Sequence, residues 1–174
     1  MKSFAILYLV AAVLAAPAQE ASKFPGSVSA AANSTTAAGS CSQTQTQLQQ
    51  GIQKNLDIQA KELIGVQSLQ KMSQAGTAQA TTFQAMQISV LDIQQKGVNI
   101  RANNQKLAQQ INSPASAGLA TVAMAQTLEI SQVLKLNGNA TDATTLQMLV
   151  TEVQGGTQQN QKNLAAAKSQ NCAN

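Results

Sequence analysis

Residues 77–111, TAQATTFQAMQISVLDIQQKGVNIRANNQKLAQQI, decide the fold. Phe83, Met86, Val90, Ile93, Gly97, Ile100, Asn104, Leu107 and Ile111 follow one another at spacings of three and four. That spacing places them on one stripe of an α-helix. A long helix with so narrow an apolar stripe is unstable alone and needs partner helices along it. Asp92 and Lys96 form an outward i,i+4 pair in the favourable order. Gly97 and Asn104 interrupt the stripe with a small and a polar residue. They predict register control or close backbone approach, or else the lining of an internal cavity.

Three further helices are legible on either side. Upstream, residues 41–73 carry Leu48, Ile52, Leu56, Leu63 and Val66 on one side, and Lys54, Asp57 and Lys61 on the other. Gly76 suits the end of that helix and Thr77 an N-cap for the next. Downstream, Asn112-Ser113-Pro114 marks a boundary at which Ser113 can cap and Pro114 can open a helix. Residues 115–136 then form the most apolar element, with Leu119, Val122, Ala123, Ile130, Val133 and Leu134 as its face. Met124 and Leu128 lie off that face. They are either further core of a deeply buried helix or an apolar contact patch for lipid, a hydrophobic surface or a second subunit. Gly138 can take the left-handed conformation that closes the helix. A fourth helix, about 142–171, is marked by Leu146, Leu149, Val153 and Leu164, with Gly155-Gly156 predicting a kink or a close neighbour. The expected fold is all-α, an antiparallel up-down-up-down four-helix bundle over residues 41–174.

Two segments precede the bundle. Residues 1–18 read as a signal peptide, with Lys2, an apolar run and a small-x-small site at Ala16-Pro17-Ala18. The apolar run is too short for a transmembrane anchor, and no later stretch is longer. Residues 19–40, rich in Ala, Ser and Thr, read as a disordered arm. Asn33-Ser34-Thr35 and Asn139-Ala140-Thr141 are candidate N-glycosylation sequons. The chain has two cysteines, Cys41 and Cys172, which bracket the four helices. In an up-down-up-down bundle the first helix begins where the fourth ends, so a disulfide between them is expected. The short third helix would leave Cys172 overshooting Cys41 unless the fourth starts late, bends at Gly155-Gly156 or unwinds near Cys172.

Composition narrows the function. Only 10% of the 174 residues are charged, and the polarity comes from Gln, Asn, Ser and Thr. The net charge of +4 is scattered, which argues against a nucleic-acid surface despite a pI near 9.3. Aromatic residues are 2%, leaving almost no ring faces for stacking on sugars or bases. The chain has no histidine, which removes His-dependent nucleophilic sites and His-ligated metals. Phosphate loops and nucleophile elbows are missing from the sequence, so the expectation is a non-enzyme with no cofactor and no bound metal. Glu129 and Glu152 lie near the edges of their apolar faces; the alternative to a carboxylate pair meeting across helices, and the expected one, is a pair of solvated flank charges.

The leader ending Ala-Ala-Pro-Ala, the Ala/Ser/Thr arm and the Gln- and Ala-rich helices resemble small secreted fungal proteins. More specifically they resemble the hydrophobic surface-binding and cell-wall galactomannoprotein family. That resemblance implies a secreted, helical, non-catalytic protein associated with cell walls or hydrophobic surfaces. The expected function is therefore that of a secreted, non-enzymatic helical protein acting at the cell surface or cell wall, or as a secreted interaction factor. Two other readings stay open: a carrier of a lipid or small apolar ligand near Gly97, Asn104 and Gly155-Gly156, and a bacterial periplasmic or secretion-apparatus subunit.

Overall fold

The computed structural model describes residues 34–75 and 80–172. The leader, the Asn33 sequon and the Gly76 and Thr77 caps lie outside the described residues. The elements run α1 (Ser34–Ala75), α2 (Ala80–Gln110), α3 (Ser116–Leu134), a 3-10 turn (Ala140–Asp142) and α4 (Ala143–Lys168). Each helix packs on its two neighbours in a ring, α1 on α2 and α4, α3 on α2 and α4. Short connections make sequential helices antiparallel, giving the up-down-up-down bundle. The first helix starts earlier than the sequence reading placed it. Ser34–Ser40, assigned there to the arm, is helical, because Ala-containing polar sequence extends an already nucleated helix at little cost.

All four helices bury the same repeat. In α1 the buried side chains are Leu48, Ile52, Asn55, Gln59, Glu62, Val66, Leu69 and Ser73. Their spacing alternates four and three. Val90, Gln94, Gly97, Arg101, Asn104 and Ala108 do the same in α2, and Leu119, Val122, Gln126, Glu129 and Val133 in α3. Leu146, Leu149, Val153, Asn160, Asn163 and Ala167 keep the phase in α4. A 3.5-residue period is that of a coiled-coil seam with interlocking side chains.

The apolar core is split in two. Leu48, Ile52, Ala108, Ala115, Leu119 and Ala167 pack at the end that carries the cysteines. Val66, Leu69, Phe83, Val90, Val133, Leu136, Leu146 and Leu149 pack at the other. Several expected core residues sit at the edge instead. Ile93, Ile100, Leu107, Leu56, Leu63, Ile130 and Leu164 are half-buried, and Leu134 is exposed. They flank the seam, and the residue one position away occupies it.

Helix ends are finished mainly by amides. Asn112 adopts a left-handed φ of 49° past the end of α2. Ser113 N–H then reaches Ala108 O at 2.8 Å and Asn112 N–H reaches Gln109 O at 3.2 Å, a Schellman closure with Asn in place of Gly. Gln45 donates to Ala167 O and Gln170 O, both at 2.9 Å, across the end of α4. Gln170 donates to Ile111 O beyond α2, and Gln87 to Val133 O near the end of α3. The last turns of α2 and α3 carry no basic residue, so neighbouring glutamines satisfy carbonyls that lysine or arginine often serve. Ser113 does not cap α3 from the adjacent position. Its hydroxyl accepts from Ala115 N–H at 3.3 Å, one residue before α3 begins.

Gly138 has a φ of 80°, and a Cβ there would lie 2.9 Å from the Phe83 ring. Gly155 is exposed inside a helix, with nothing within 4 Å of its Cβ position. Gly138→Ala is expected to cost about 1–3 kcal/mol, and Gly155→Ala to gain about 0.5–1 kcal/mol. Urea denaturation of the two variants checks the opposite signs. Helix α4 is continuous through Gly155-Gly156, and Gly156 makes room for Gln59, whose Nε2 would lie 2.8 Å from a Cβ.

Candidate functional site

Between the two apolar clusters the seam is polar on every helix. Asn55, Gln59 and Glu62 of α1 face Gln94, Arg101 and Asn104 of α2, with Gln126 and Glu129 of α3 and Asn160 and Asn163 of α4; all ten are buried. Gln94 and Gln126 both donate to Glu62 Oε1, at 2.8 and 3.2 Å. Arg101 donates from one terminal nitrogen to Asn55 Oδ1 at 2.9 Å. Asn160 donates to Gln59 Oε1 at 2.8 Å, and Asn163 to Asn160 Oδ1 at 3.2 Å. Four helices are thus pinned in register by hydrogen bonds that a shifted pairing would break.

The network is incompletely satisfied within the protein. Glu62 Oε2, Gln94 Oε1, Asn55 Nδ2, both Asn104 amide atoms and two Arg101 nitrogens have no hydrogen-bond partner among the described residues. Each such group costs on the order of 1–3 kcal/mol, so this middle section detracts from stability while it fixes alignment.

Its charges are Glu62, Arg101 and Glu129. Burial raises the Glu62 pKa, opposed by hydrogen bonds from Gln94 and Gln126 and by the Arg101 charge. Burial also pushes Glu129 up, to about 8, helped by repulsion from Glu62 and Glu152 and opposed by Arg101. Burial lowers the Arg101 pKa, while Glu62 and Glu129 hold it up. One buried cation is balanced by one carboxylate; a second would leave an excess negative charge in a poorly solvated place. Glu129 therefore keeps its proton at neutral pH. It is not the solvated flank charge that its sequence position suggested: at 4% exposure it occupies the α3 seam. Glu152 is half-buried and accepts from Gln132 at 3.2 Å.

The other sequence-derived positions are placed as follows. Cys41 and Cys172 are disulfide-bonded, with Cα atoms 5.5 Å apart. The overshoot is removed because α4 ends at Lys168 and the chain leaves the helix before Cys172. Met124 and Leu128 are exposed, at 69% and 51%, and Met148 on α4 at 48%. Asn139 is exposed in the turn before α4, its Oδ1 accepting from Thr141 N–H at 2.9 Å. Asp142, which by sequence only marks the start of the fourth helix, is buried and accepts from Asn137 and Gly138 N–H at 2.9 and 2.7 Å, fixing the α3–α4 turn. Gly97 leaves room for the guanidinium of Arg101, and Asn104 packs on Gly51. Sequence reasoning did not single out Glu62, Gln94, Arg101 or Gln126. Their signal was phase: each continues the four-three spacing of apolar residues on either side.

Comparison with protein families, curated proteins and solved structures finds no significant match. No helix among the described residues is long and apolar enough to cross a membrane.

Proposed function

We propose that this chain is a secreted, non-enzymatic helical protein that acts at a cell surface or cell wall, with Met124 and Leu128 as its apolar contact. The disulfide carries the reading. A bond between Cys41 and Cys172 that closes the bundle persists in an oxidising compartment and is rare in a reducing one. The leader-like N-terminus, the Asn33 and Asn139 sequons and the resemblance to fungal surface-binding proteins point the same way. Two exposed apolar side chains one turn apart on α3 suit a hydrophobic surface.

Expression of the full chain in a yeast secretory host tests the first part. The expected product is disulfide-bonded protein in the medium without residues 1–18, and retention inside the cell would exclude secretion. For the second part, Met124→Ser/Leu128→Ser is expected to reduce adsorption to an octyl-coated surface several-fold while the melting temperature stays within about 2 °C, because exposed substitutions perturb stability little. Unchanged adsorption would remove these residues from the contact.

A further inference from the structure

We infer that the groove between α1 and α2, near the disulfide end, is a binding site for a small hydroxyl-rich ligand of one or two sugar rings, with acidic members preferred. The groove is open to solvent, measures about 430 Å³ and includes Ile100 and Leu107 in its lining beside the polar residues. Gln47, Gln50, Lys54, Asn99 and Asn103 form its rim, all exposed and none hydrogen-bonded to another described side chain. Beneath them lie Gly51 and Asn104.

Asn104 is fully buried, and neither atom of its amide has a hydrogen-bond partner among the described residues. It sits under the groove because Gly51 has no side chain: a Cβ there would collide with the Asn104 amide oxygen. Both atoms are closed to solvent, so a ligand hydroxyl reaches them only by displacing the side chains that cover them; there it can accept from one atom and donate to the other. The rim repeats that chemistry with four more amides. Among the described residues Lys54 is the one charged residue lining the groove, so a carboxylate on the ligand gains a partner there and meets no acid in that lining. With no aromatic ring in the lining, recognition rests on hydrogen bonds along the ligand edge, and weak, millimolar affinity is expected. The groove belongs to the folded bundle wherever the protein works, so this inference stands apart from the compartment and from the Met124 contact.

Titration of the isotopically labelled full chain with glucose and with glucuronate, followed by NMR, tests it. Saturable shifts are expected at Gly51, Asn103 and the Asn104 side-chain amide, with glucuronate saturating at several-fold lower concentration. Lys54→Gln should bring the two ligands together, and Gln50→Ala/Asn103→Ala should weaken both at least fivefold with an unchanged helical circular dichroism spectrum. No saturable shift at Asn104, or shifts that persist in Gln50→Ala/Asn103→Ala, would overturn the site. A glucuronate response reproduced by acetate, with none to glucose, would reduce it to a surface lysine contact and overturn it equally.

Discussion

Replacing both Cys41 and Cys172 by serine is expected to lower the unfolding free energy by about 4–5 kcal/mol, seen as a large fall in the urea midpoint. The bond joins residues 131 apart in sequence, so it ties almost the whole folded chain into one loop. Without it the unfolded ensemble gains the entropy of that loop, and the cost of closure grows only slowly with further length. The double replacement leaves no unpaired thiol, which separates the loss of the cross-link from new sulfur chemistry. The folded state keeps its other fastenings at that end. Gln45 still bridges the α4 carbonyls, and Gln170 still reaches Ile111 O. A loss below about 1 kcal/mol would mean that these amides, and residual structure in the unfolded chain, already hold the ends together.

Stability should also fall as pH rises from about 4.5 to 8, and Glu129→Gln should abolish much of that fall. Glu129 has a folded-state pKa near 8 against an ordinary value of 4.5. Between those values the folded protein holds a proton that the unfolded chain has released. The unfolded state therefore binds fewer protons, and unfolding free energy decreases with pH. The contribution is fully present below about 4.5, is lost progressively up to about 8, and changes no further above that. Glu62 is shifted in the same direction and adds to the slope. Glutamine keeps the shape of the protonated acid and cannot ionise. Glu129→Gln is thus expected to be near neutral at pH 4.5 and stabilising by on the order of 3 kcal/mol at pH 8.5. Thermal unfolding of both proteins across that range is the check. A parallel pair of stability profiles would place the pH response on some other group.

The helical periods, the number of helices and the cysteine clasp were readable without coordinates. Spacings of three and four around Phe83 and Val90, the Asn112-Ser113-Pro114 break and Gly138 act locally, through side-chain alternation and backbone preference. Gly138 takes the left-handed turn expected of it, and Phe83 and Val90 are buried. The cysteines were placed by topology alone, since antiparallel helices of even number return the chain to its starting end.

The phase of the seam was misread by one residue in the middle of the bundle. Ile93, Ile100 and Leu107 gave the right period, but Gln94, Arg101 and Ala108 occupy the centre. One residue turns a helix by about 100°, enough to exchange flank for core. Hydropathy assigns polar residues to water, and nothing local reveals that Glu62 will meet Gln94 and Gln126 across two interfaces.

The sequence by itself determined that four amphipathic helices form and that a covalent link joins their ends. Only the tertiary structure decided that the bundle centre is polar, that Glu129 shares it with Arg101 and Glu62, and that Asn104 lies unpaired beneath a groove. Helix formation depends on neighbours three and four residues away. The burial of a charge or an amide depends on partners from other helices, and those meet only once the helices have docked.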